Sequence, residues 1–125
     1  VTAPRTVTLA TVDRGNVTIP EPAWCSGHSH HDPLTEYADI IHSSPEHTLN
    51  FRYVVLLAAG LVQSPHATTA SPGLGGPTPG VSVHPLGETL DPTGLYSLAA
   101  ALDAYSDQLR TLADQLDAIL DGGGQ

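Results

Sequence analysis

The chain has 125 residues, enough for one domain with a single core. Four Arg and no Lys stand against 13 acidic residues, a formal charge of −9. With Arg5, Arg14, Arg52 and Arg110 scattered along the chain, no basic stripe exists, and direct nucleic-acid binding is not expected.

A single Cys cannot form an internal disulfide, so nothing suggests a stapled secreted scaffold. "VTAPRTVTLA" lacks the basic-then-apolar order of a signal peptide, and the longest apolar run, "YVVLLAAGLV", is about half a membrane span. The expectation is a cytoplasmic protein without a membrane partner.

"TVTLATV" (6–12) alternates, "DRGN" supplies turn chemistry, and "VTI" (17–19) resumes the alternation. This spacing predicts a β-hairpin with Val7, Leu9, Val17 and Ile19 on one face. Pro20 and Pro22 end the second strand, since proline cannot donate to a ladder. Residues 25–36 show no period and read as loop. "YADIIHS" (37–43) and "TLNFRY" (48–53) are strand candidates. "VVLLAAGLVQ" (54–63) is the most apolar stretch; its length and β-branched start favour a central strand, with a buried helix the alternative that period alone leaves open, and Gly60 marks a bulge or a close backbone approach. "SPHATTASPGLGGPTPG" (64–80) has too little apolar surface to offset ordering and is expected to be a mobile loop without a catalytic group. "VSVHP" (81–85) is the last predicted strand, closing a β-rich segment over 1–90.

The C-terminal third carries the strongest pattern. Asp91 is an N-cap candidate, Pro92 suits the first helical position, and glycines follow Asp121, which predicts a helix over 91–121. Leu95, Leu98, Leu102, Tyr105, Leu109, Leu112, Leu116 and Ile119 are spaced three and four apart, an unbroken apolar seam. Five Asp lie on the opposite face. A helix of about 30 residues is roughly 45 Å long, whereas six-residue strands span about 20 Å. The second half of the seam therefore needs another apolar surface, most simply a second copy, and a homodimer through this helix is expected.

"PAWCSGHSHHD" (22–32) gathers the only Trp, the only Cys and three of the seven His. Thiolate and imidazole are donors that Zn²⁺ prefers, and a tetrahedral site needs four. Cys25 and His28 form a local pair, His30 or His31 with His42 could complete the set, and Asp32 could ligate or orient a ligand. Cys25 and His42 are expected to share one ion, because the first hairpin ends at one and the next strand ends at the other. A solvated loop beside a core Cys is the alternative. His47, His66 and His84 read as ordinary surface or loop residues. "HSHHD" matches only the start of the dinuclear metallohydrolase signature, with Pro33 where its last His belongs. His28-x-His30 lacks the glutamate spacing of cupins. Neither a nucleophile elbow nor a phosphate loop is present.

"PEPAWCSGH", "ADIIHSS", "GLVQSPHAT", "GVSV" and "LDPTGLYSLAAALDAYSDQLRTLA" together resemble an uncharacterised family of small actinobacterial proteins. The resemblance covers nearly the whole chain. It implies that Cys25, one His of the 28–31 cluster and His42 belong together, and it implies no activity.

The expected fold is α+β, a single domain with an antiparallel sheet of five or six strands packed against one long C-terminal helix. The expected function is a non-catalytic binding or regulatory module, dimeric and open to a protein partner, with a loop stabilised by Zn²⁺. The alternatives are a small metal-dependent enzyme using His28, His30, His31 and His42, or an acidic DNA-mimic inhibitor.

Overall fold

The computed structural model of the chain describes residues 5–121. It is an α+β protein with two antiparallel sheets and one long helix. The chain divides into two compact units, Val1–Asp91 and Pro92–Gln125.

In the first unit, β1 (Thr6–Thr11) and β2 (Gly15–Pro20) form the predicted hairpin, with Leu9 opposite Val17 and Val7 opposite Ile19. Gly15 turns the chain at φ 65, in the left-handed region where a side chain is strained. The Thr11 hydroxyl fastens the turn by donating to the Gly15 carbonyl at 2.8 Å. Leu9 and Ile19 bury against Ile40, with Val7, Val17 and Tyr37 packed around them. Each such side chain removed from water contributes about 1.5–3 kcal/mol.

The second sheet is built on β5 (Val54–Gln63). β3 (His42–Ser43) and β4 (His47–Phe51) share one of its edges: Ser43 pairs with Val62 and His47 with Ala59. Between these strands Ser44 and Pro45 press close to Gly60. A Cβ there would meet Ser44 Oγ at 3.3 Å and the Pro45 carbonyl oxygen at 3.4 Å. Gly60 therefore marks a close approach, the second of the two roles its place in the strand suggests. On the other edge β6 (Gly80–His84) pairs with β5, and β7 (Glu88–Leu90), which has no period long enough to predict, pairs with β6.

Two segments differ from their expected form. Residues 37–43 are not one strand: Tyr37–Asp39 is a 3-10 turn and only His42–Ser43 pair with β5. Competing partners decide this. The Tyr37 N–H donates to the Asp13 carboxylate at 2.9 Å, and its ring stacks on His66 with centroids 4.0 Å apart beneath the Arg14 guanidinium. Residues 64–80 form no long element, in keeping with their composition, but polar bonds hold them to their neighbours. Ser64 N donates to the Gly76 carbonyl at 2.9 Å and Ser64 Oγ to that of Leu74 at 3.0 Å. Ser71 and Gly75 exchange two backbone bonds.

The second unit is α1 (Pro92–Leu120), with Pro92 at the first helical position. Along it Leu102, Tyr105, Leu109 and Leu112 of the apolar seam are exposed. The side chains of Leu116 and Ile119 and the glycines after Asp121 lie outside the described residues. Among the described residues no helix is long and apolar enough to cross a membrane.

Candidate metal centre

The hairpin delivers the first donor. β2 ends at Pro20, and Glu21, held by a hydrogen bond from its N–H to the Arg5 carbonyl at 2.8 Å, turns inward, its side chain only 4% exposed. A tight turn follows, with Cys25 N donating to the Pro22 carbonyl at 3.0 Å, which buries the thiol. Gly27, at φ 103, reverses the chain in a conformation closed to most side chains, so that His28 comes back beside Cys25. Ser26 then clamps the loop to β3, donating through both N and Oγ to the Ser43 carbonyl at 2.8 and 3.1 Å. His42, the residue before Ser43, is thereby brought to the same point.

The result is a cluster of Glu21, Cys25, His28 and His42, one donor atom from each within 4.8 Å of all the others. Glu21 Oε1 stands 2.8 Å from both His28 Nε2 and His42 Nδ1. Cys25 Sγ lies 3.7 Å from His28 Nε2. The two imidazole rings meet at 68° with centroids 5.4 Å apart, and Trp24 closes the side of His42 edge-on at 6.4 Å. A buried carboxylate, a thiol and two imidazoles converging on one point could hold a metal ion.

The electrostatics fit such a group. Burial alone would push the Glu21 carboxyl up, but hydrogen bonds from His28 and Cys25 and the charges of His28 and His42 bring it below its ordinary value. Burial holds His42 below the usual imidazole range, against the opposing pull of Glu21. A neutral imidazole and an ionised carboxylate are the forms that ligate. The geometry at His42 is more telling. Its Nδ1 is buried and makes no well-formed hydrogen bond, although Glu21 Oε1 stands 2.8 Å away. Leaving a buried polar atom unsatisfied costs about 1–3 kcal/mol. A Glu21–His28 bond accounts for two members of the cluster and leaves that nitrogen without a purpose. A cation among the four donors would satisfy it.

The other residues considered from the sequence lie elsewhere. His30 is exposed. His31 Nε2 donates to the Ala10 carbonyl at 2.7 Å, tying the loop to β1. Asp32 Oδ1 accepts from Leu34 N at 2.9 Å in a local turn. His47 opens β4 at the surface, and His84 Nε2 sits 3.3 Å from Ser82 Oγ on the rim of a cleft of about 420 Å³ beside β3. His66 is no ordinary surface residue: stacked on Tyr37, its Nε2 is buried without a partner, and burial followed by the nearby Arg14 charge lowers its pKa. Glu21 is the member that donor counting around the Cys/His stretch passed over. Its one signal was its place: an acid between two prolines, four residues before Cys25, where a strand must end and the chain must turn.

A family model described as a domain of unknown function (DUF6907) matches residues 6–118. No curated protein and no solved structure matches the chain.

Proposed function

The chain belongs to this family, DUF6907, and we propose that it is a non-catalytic binding module whose irregular segment 21–43 is pinned by one divalent ion, Zn²⁺ by its donor chemistry. The observation that carries this is the convergence of four buried donors of two kinds, nitrogen and anionic oxygen or sulfur, around an otherwise unpartnered His42 nitrogen. Thiolate, carboxylate and two neutral imidazoles balance the charge of a divalent ion and supply the four ligands of a structural zinc site. A catalytic zinc keeps one position for water, whereas here the four side chains of Glu21, Cys25, His28 and His42 would fill all four positions. The ion would join the end of β2, the loop after it and the start of β3, and so fasten the hairpin sheet to the larger sheet.

The binding role rests on α1 and a second copy of the chain. With Leu95, Leu102 and Leu109 at heptad position a, the flanking e and g positions hold Ala99, Ser106, Ala113, Ala101, Gln108 and Gln115, all uncharged. Asp103, Asp107, Asp114 and Asp117 fall on the outer b and f positions, so two such helices would meet along the seam without facing like charges.

Elemental analysis of protein purified without a His tag tests the metal. About one zinc per chain is expected, with the content lost in Cys25→Ser and in His42→Ala. Metal-free protein that ignores added Zn²⁺ would end the proposal. Light scattering at micromolar concentration tests the second copy: a dimeric mass is expected, and a monomer, or a dimer unchanged in Leu109→Asp/Leu112→Asp, removes α1 as the interface.

A further inference from the structure

Arg5 grips the donor cluster from outside at two levels. Its carbonyl accepts from Glu21 N at 2.8 Å, and its Nη2 donates to the Cys25 carbonyl at 3.0 Å. One residue thus brackets both ends of the turn that carries the carboxylate and the thiol. The same Nη2 stands 3.7 Å from Glu21 Oε2, while Oε1 is the oxygen facing His28 and His42. The two oxygens of the carboxylate are therefore divided, one toward the guanidinium and one toward the other donors.

We propose that Arg5 is the positioning residue of this metal centre, holding Glu21 as a one-oxygen ligand and fixing the Glu21–Cys25 turn so that the site binds a divalent cation more tightly than its four donors would unaided. The proposal rests on the metal reading above.

Two effects oppose each other. A guanidinium near a metal ion repels it, and removing Arg5 could on that account tighten binding. But the Arg5 side chain is 53% exposed, so the surrounding water weakens its repulsion of an ion held by Oε1. Its hydrogen bond to Cys25 and its contact with Glu21 act at short range and are not screened in the same way. Groups that orient metal ligands from outside typically change affinity ten- to a hundredfold. Preorganisation of the ligand turn outweighs the screened repulsion. Lysine could keep the charge, but its tetrahedral ammonium on a different stem would not place a donor at the Cys25 carbonyl as the fixed, planar guanidinium places Nη2.

The test is Co²⁺ titration of the full-length wild type, Arg5→Ala, Arg5→Lys, Glu21→Gln and the Arg5→Ala/Glu21→Gln double variant. It is followed by the thiolate-to-cobalt absorption band and by competition with a chromogenic chelator. Wild type is expected to bind one Co²⁺. Arg5→Ala should still bind one, about ten- to a hundredfold more weakly, with a weaker visible band as Glu21 swings to offer both oxygens and the coordination number rises. Arg5→Lys should fall between the two. In the Glu21→Gln background the further loss from Arg5→Ala should shrink, because the carboxylate it orients is gone. A merely structural role would lower thermal stability without moving the cobalt spectrum. Arg5→Ala that binds Co²⁺ as tightly as wild type, or more tightly, with an unchanged spectrum, overturns the role of Arg5 and leaves the site standing. A wild type with no cobalt–thiolate band overturns the metal reading itself.

Discussion

The loop around Cys25 and the helix α1 are opposites in how they hold together. Segment 21–43 has hardly any regular structure, yet it places Glu21, Cys25, Ile40 and His42 among the most buried residues of the chain. It does so through long-range polar contacts: Glu21 to Arg5, Ser26 to Ser43, His31 to Ala10. α1 is 29 residues of unbroken helix whose backbone pairs with its own carbonyls four residues back, and its Leu102, Tyr105, Leu109 and Leu112 stand in the open. Irregular backbone has to be paired from elsewhere, and the pairing makes it precise enough to assemble a donor cluster. Helical backbone pairs with itself and leaves its side chains free to meet another surface.

That contrast can be broken most forcefully at His42. In Zn²⁺ at about a thousand times the dissociation constant, a bound ion stabilises the folded state by about 4 kcal/mol. His42→Ala should lose all of this and the imidazole packing besides. Calorimetry with and without Zn²⁺ should show a large metal-dependent rise in Tm for wild type and none for the variant. Far-UV signal from the helix should be much less sensitive to chelation than the environment of Trp24, which packs against His42.

A purely apolar change in the same segment comes next. Ile40→Ala removes a side chain that is 1% exposed at the junction of hairpin and loop. A loss of about 3 kcal/mol in denaturant unfolding is expected. Leu109→Ala, at an exposed helix position, should cost less than about 1 kcal/mol in dilute protein and act on association instead. Equal losses from the two substitutions at low concentration would erase the distinction between the regions.

The smallest effect is one of pH. Burial, with Arg14 adding to it, holds the pKa of folded His66 below its ordinary value. The unfolded chain therefore takes up a proton that the folded one resists. The contribution of His66 is fully present above pH of about 6.5 and is lost as pH falls below it. His66→Phe, which keeps a ring on Tyr37, should flatten this slope in metal-free protein between about pH 7.5 and 5.5. The helix contains no His, and its signal should show no step in that range. An unchanged slope in His66→Phe would assign the titration to another group.

How much of this was legible beforehand follows the same division. The β1–β2 hairpin and the helix announced themselves through period 2 and period 3.6, because side chains in regular elements point in directions set by the backbone alone, whereas strand 54–63 was marked only by its apolar length and β-branched start. Cys25, His28 and His42 could be named as metal donors from residue type. But His28, His30 and His31 were equivalent in sequence, and only the Gly27 reversal and the bond from His31 to Ala10 separate them.

The sequence by itself determined the α+β class, the donors available for a metal and the apolar seam of α1, since each depends on residue type and local spacing. Tertiary structure decided that Glu21 joins the cluster, that His30 and His31 stay out of it, that Tyr37–Asp39 turns instead of extending, and that the hairpin forms a sheet of its own. Those outcomes hang on contacts between residues ten to twenty or more positions apart. In loops without a period, the direction of a side chain is set by such contacts and not by its neighbours in the chain.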